Sequence, residues 1–172
     1  VGYILLGFLG GSMPDTATVS GVKAILFYVV AYALAILGAF VVLSLLAQER
    51  EPDLNDLRGM GRRYPVLSAC MLVFVASLAG LPPAAGFLGK INLFAAAFGA
   101  KYVTLAVIGL IGSAIGIYYY MRILVYMYMT PEEGNQIRMV STPLQERALI
   151  ASAIATVLFG VFPDAVFSLL RL

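Results

Sequence analysis

Residues 65–99 constrain this chain more than any other stretch. They read PVLSACMLVFVASLAG, then LPPAAG, then FLGKINLFAAAFG, so two apolar halves flank the Pro82-Pro83 pair. The run is far longer than the ~20 residues that cross a bilayer as one straight helix. Pro82 and Pro83 carry no backbone N–H, so the carbonyls of Leu78 and Ala79 lose their usual helical donors. Leu81 and Pro82 each precede a proline and are pushed away from helical dihedrals. Gly80 and Gly86 bracket the interruption and let the chain turn at little steric cost. The pattern predicts one helix broken at 81–85. Unpaired carbonyls are tolerated at membrane depth only where protein or a water-filled cavity lines them. A plain proline kink, packed against neighbouring helices, is the alternative.

Lys90 follows this break. Every other Lys or Arg lies in a connection or within about two turns of a predicted helix end, as judged along an α-helix. Lys90 alone lies near the middle of an apolar run. An ionisable side chain beside a discontinuous membrane helix marks a candidate site for ion or proton movement.

Composition sets the class. Of 172 residues, 62% are hydrophobic and 12% charged, too apolar for a soluble domain of this size. The long unbroken apolar runs exclude a β-barrel and predict an all-α, polytopic transmembrane helix bundle. A net charge of +2 gives no footing for nucleic acid. The single cysteine, Cys70, cannot form an internal disulfide. With no histidine and no second cysteine, haem, iron–sulfur and zinc sites lack ligands in this chain.

The remaining pattern predicts a membrane domain over 1–172. Residues 1–11 read as the tail of a membrane helix that begins upstream of Val1. A turn with Pro14 follows, then helices at about 22–47, 65–99, 102–129 and 147–170, the last bent or ended early by Pro163. In the first full helix Ala31, Ala35 and Ala39 stand four apart with Gly38 beside them, a stripe suited to close helix packing. Tyr28 and Tyr32 share a face, suited either to packing or to a polar water path. Residues 48–64 hold eight charged residues, with Leu54 and Leu57 suggesting a short amphipathic helix at the membrane surface. Gly109, Gly112, Ser113 and Gly116 form a small face predicted to lie against another helix. Tyr118, Tyr119, Tyr120 and Arg122 suit an interfacial belt, yet residues about 100° apart cannot all face lipid, and Tyr119 is the candidate to line a water path. Basic residues are in excess at 48–64 and 130–146, which predicts that these loops are cytoplasmic and the C-terminus outside.

The run Ser77 to Lys90 closely resembles the broken helix of the antiporter-like subunits of respiratory complex I, relatives of Mrp-type sodium/proton antiporters. Leu26-Phe27-Tyr28, Gly38-Ala39-Phe40, the Asp53 to Gly59 loop and Tyr118-Tyr119-Tyr120-Met121-Arg122 extend the likeness over nearly all 172 residues. The Gly89-Lys90 ending and the tyrosine run point to the N-type subunits of bacterial NADH:quinone oxidoreductase. The resemblance implies the C-terminal part of such a subunit, in the inner membrane, with most of its second repeat and Lys90 as the lysine of the second broken helix. It implies a proton-translocating role beside other membrane-arm subunits, with the bilayer, water and protons as further partners. It places FMN, iron–sulfur clusters and quinone in other subunits. The upstream charged residues of such a proton path are absent from this chain.

Lys90 is the expected proton-transfer residue. Burial and the positive end of the second half-helix oppose its ammonium, whereas the freed carbonyls favour it. A lysine balanced in this way can release and regain a proton. The rival readings are an Mrp-type antiporter or membrane-bound hydrogenase subunit, and a purely structural membrane scaffold.

Overall fold

The computed structural model describes residues 2–9, 21–46, 53–131 and 141–163. The Pro14 turn, Arg50, the centre of the 130–146 loop and residues 164–172, including the predicted end of the last helix, lie outside the described residues. All regular elements among the described residues are helical: α1 Gly2–Leu9, α2 Gly21–Leu46, a 3-10 turn Leu54–Leu57, α3 Met60–Arg63, α4 Pro65–Ala79, α5 Ala85–Gly99, α6 Val103–Tyr128 and α7 Pro143–Val161. The fold is thus the all-helical membrane bundle with one discontinuous helix that the sequence predicts. α2, α6 and α7 are long and apolar enough to cross a membrane. α4 and α5, 15 residues each, span roughly 22 Å apiece, less than a bilayer core.

α2 is the central element and packs on α1, α4, α5 and α7. Its alanine stripe faces inward, with Ala31, Ala35 and Ala39 all buried. At Gly38 the α2 backbone runs against the Phe74 ring of α4, where a Cβ would overlap the ring. Lipid is as apolar as a core, so such close packing, rather than release from water, holds membrane helices together.

The polar connection before α4 is ordered by local chemistry. Asp53 and Asp56 form a reciprocal capping box around the 3-10 turn, and Leu57 is buried in the main core cluster with Met60 and Leu67. Pro65 then starts α4 at a position where a missing N–H costs nothing.

Two sequence expectations change. α7 begins at Pro143, one turn before Arg147, because Thr142 caps the Gln145 amide and the Gln145 side chain accepts from the Thr142 N–H. The 109–116 face is only partly covered by other helices of this chain: Gly109 and Ser113 meet them, whereas Gly112 and Gly116 meet none among the described residues. α6 stands at the edge of the bundle with only Ala106 and Met127 buried. Among the described residues, no side chain or other helix comes within 4 Å of where a Gly112 Cβ would stand, and Gly116 meets only the Tyr120 ring of its own helix, at 4.0 Å. Gly109 alone of these glycines meets other helices, with Leu6 and Phe94 each 3.0 Å from its would-be Cβ.

Candidate functional site

α4 stops in a Schellman closure. Gly80 adopts φ 81° and ψ 45°, a left-handed conformation that glycine takes without penalty. Its N–H donates to the Ser77 carbonyl at 3.0 Å, and the Leu81 N–H donates to that of Ala76 at 2.8 Å. The next two carbonyls, of Leu78 and Ala79, would have paired with Pro82 and Pro83, which have no N–H to give. Lys90 Nζ donates to both, at 3.0 Å and 2.8 Å. The side chain reaches back from the second turn of α5 and is 9% exposed.

Backbone contact fixes the two half-helices relative to each other. The Gly86 N–H donates to Ser77 Oγ at 3.1 Å. A Cβ at Gly86 would overlap the Ser77 carbonyl, so only glycine fits there. From the other side, the Gly160 backbone on α7 lies against the Pro83 carbonyl and Ala84, again with no room for a Cβ. The start of α5 is therefore packed against α4 and α7, with Ala84 and Ala85 buried, while Pro82 and Pro83 at the tip of the break are exposed on this chain.

Three further groups surround the ammonium. Ser113 Oγ on α6 accepts from Lys90 Nζ at 3.3 Å. The Tyr3 ring of α1 lies 5.5 Å from Nζ, within cation–π range. A cavity of about 10 Å³, close to the room one water needs, is lined by Lys90, Ser77, Gly86, Tyr28 and Tyr32. Tyr28 and Tyr32 stack at 5.9 Å between centroids, and Tyr3 meets Tyr28 edge-on at 6.1 Å.

Gly80, Gly86, Lys90, Tyr28 and Tyr32 thus converge, with Leu81, Pro82 and Pro83 forming the turn between the half-helices. Tyr119 does not join them. It is 61% exposed and packs edge-on against Tyr118. Tyr120 is the tyrosine of that run that packs on the core. Ser77, Ser113 and Tyr3 were not singled out for the site by the sequence. Ser77 lies inside the motif, but nothing in the spacing marks its hydroxyl as the partner of Gly86. Ser113 and Tyr3 reach Lys90 only through tertiary packing.

The described residues thus form a multi-pass helical membrane bundle in which Lys90 is seated on the carbonyls freed by the break in its own helix. Residues 1–116 match the family model described as NADH:quinone oxidoreductase/Mrp antiporter, TM, and the chain belongs to that family. NADH-quinone oxidoreductase subunit N of Trichlorobacter lovleyi is 41% identical over 168 residues, covering 96% of this chain and 33% of that protein. The chain spans about a third of the length of the curated relatives it matches. A chain of respiratory complex I from Thermus thermophilus, with bound Aureothin, superposes with a TM-score of 0.78 at 34% identity, covering 94% of this chain and 35% of that one. A chain of the Mrp complex from Dietzia sp. DQ12-45-1b gives a TM-score of 0.77 at 19% identity, covering 95% of this chain and 38% of that one, a likeness of fold alone.

Proposed function

We propose that this chain is part of a proton-translocating membrane subunit of an NADH:quinone oxidoreductase, in which Lys90 takes up and passes on a proton. The observation that carries this reading is the hydrogen bonding of Lys90. Its Nζ has three uncharged partners, two of them carbonyls freed by the break in its own helix. A cation kept in place by neutral acceptors can change protonation without breaking an ion pair. Identity to subunit N relatives favours the oxidoreductase over an Mrp-type antiporter, because likeness to the Mrp chain is of fold only.

The partners on this reading are the other membrane-arm subunits. FMN, iron–sulfur clusters and quinone belong to other parts of that complex, and this chain supplies a segment of the proton path. The excess of basic residues, with Arg58, Arg62, Arg63 and Arg147 among them, supports a cytoplasmic location for the connection before α4 and the start of α7 at the inner membrane.

Lys90→Ala in the complete, assembled complex tests the reading. Proton uptake into sealed vesicles driven by NADH should fall strongly. Reduction of an artificial acceptor upstream of the membrane arm should continue at the wild-type rate. Wild-type proton uptake at equal complex content would refute a role for Lys90. Sodium-dependent uptake would move the assignment to the antiporter side of the family.

A further inference from the structure

We propose that the Ser113 hydroxyl is the group through which Lys90 exchanges its proton, an inference that rests on the reading of Lys90 as a proton carrier. The argument is one of donors and acceptors. A lysine ammonium has three N–H donors and no acceptor. Its three partners are the carbonyls of Leu78 and Ala79 on α4 and the Ser113 hydroxyl on α6, so every donor is matched. Once a proton leaves, Nζ keeps two N–H groups and gains a lone pair. The carbonyls, which only accept, hold the two remaining N–H groups. The lone pair then needs a donor, and of the three partners only the hydroxyl can turn from accepting to donating.

Rotation of one O–H bond therefore satisfies Lys90 in both protonation states, with no movement of the half-helices. The transfer itself balances simply. An Nζ–H bond breaks as its proton passes to Ser113 Oγ, and the Ser113 proton leaves for a water molecule on the far side of the hydroxyl. Lysine loses one proton, water gains one, and serine stays neutral. Reloading runs the same steps backwards. The two carbonyls cannot relay a proton in this way, and the Tyr3 ring face can only stabilise the cation.

Helix packing brings Ser113 into reach. One turn earlier, Gly109 lets α6 approach α1 and α5, with the Leu6 and Phe94 side chains 3.0 Å from its would-be Cβ. The turn that carries Ser113 is thereby held against Lys90.

The test uses Ser113→Ala and Ser113→Thr in the full complex, with Lys90→Ala alongside, all at matched complex content. Readouts are proton uptake into sealed vesicles and its solvent deuterium isotope effect. Ser113→Ala should lose most of the uptake that Lys90→Ala loses, and its remaining uptake should show a larger isotope effect than wild type. Ser113→Thr keeps a hydroxyl and should recover uptake, which a packing role for the serine does not require. Loss in Lys90→Ala with wild-type uptake and isotope effect in Ser113→Ala would overturn this inference alone. The cavity bounded by Tyr28 and Tyr32 would then be the exchange route. Wild-type uptake in Lys90→Ala would overturn both readings.

Discussion

At the scale of single residues, Gly80 and Gly86 decide where Lys90 can go, and they do so differently. Gly80 sits at φ 81°, and a Cβ there would stand 2.9 Å from Lys90 Cδ and 3.0 Å from Nζ. Those atoms end a flexible chain and can move aside. Gly80→Ala should therefore allow assembly, at a conformational cost of about 1–2 kcal/mol, while displacing the ammonium from the Leu78 and Ala79 carbonyls. Its signature is a small drop in the thermal midpoint of the purified complex with a disproportionate loss of proton uptake. Gly86→Ala meets the Ser77 backbone instead, which cannot give way without opening the break. The amount of assembled complex should fall sharply. Normal assembly of that variant would mean that the half-helices are not locked at this point. The proline pair and bracketing glycines made the discontinuity legible in the sequence, because they act on their own backbone. The Ser113 and Tyr3 contacts were not legible, because they depend on how close α6 and α1 come to α5.

At the scale of elements, α7 shows what the sequence displayed and what it concealed. The polar residues before Arg147 read as loop, yet Thr142, Pro143 and Gln145 form a capping box with proline at the first helical position. The apolar pattern that guided the reading starts only later. Thr142→Ala should cost about 1 kcal/mol at this helix end, speeding hydrogen exchange of the Gln145 amide about five-fold. Unchanged exchange would show that the cap does not hold the first turn. At the other end, Gly160 seats α7 against the Pro83 carbonyl. Gly160→Ala must push α7 off the break, and the thermal midpoint of the complex should fall well below that of Gly112→Ala, whose Cβ meets no other helix among the described residues within 4 Å. Equal midpoints would remove α7 as a support of the break. The glycine pair at 112 and 116 looked the better packing motif in sequence. Spacing identifies a small face but not whether a helix of the same chain lies opposite it.

At the scale of the whole molecule, apolar runs, their lengths and the basic asymmetry were enough to establish an all-helical membrane bundle with a discontinuous helix. The order in which helices surround the break was not readable, since the apolar residues of α2, α6 and α7 are spread around each helix rather than gathered on one face. Sidedness remains a matter of charge. In a Cys70→Ser background, a cysteine at Asn55 should resist an impermeant thiol reagent in intact cells, and one at Lys101 should react; the reverse would invert the topology. The central claim is that Lys90 carries a proton rather than a fixed charge, and Lys90→Arg tests it most directly. A guanidinium can still donate to the Leu78 and Ala79 carbonyls but does not release its proton. The decisive measurement is NADH-driven proton uptake by vesicles containing fully assembled Lys90→Arg complex. Assembly at the wild-type level with strongly reduced uptake is the predicted result, and wild-type uptake would contradict the account.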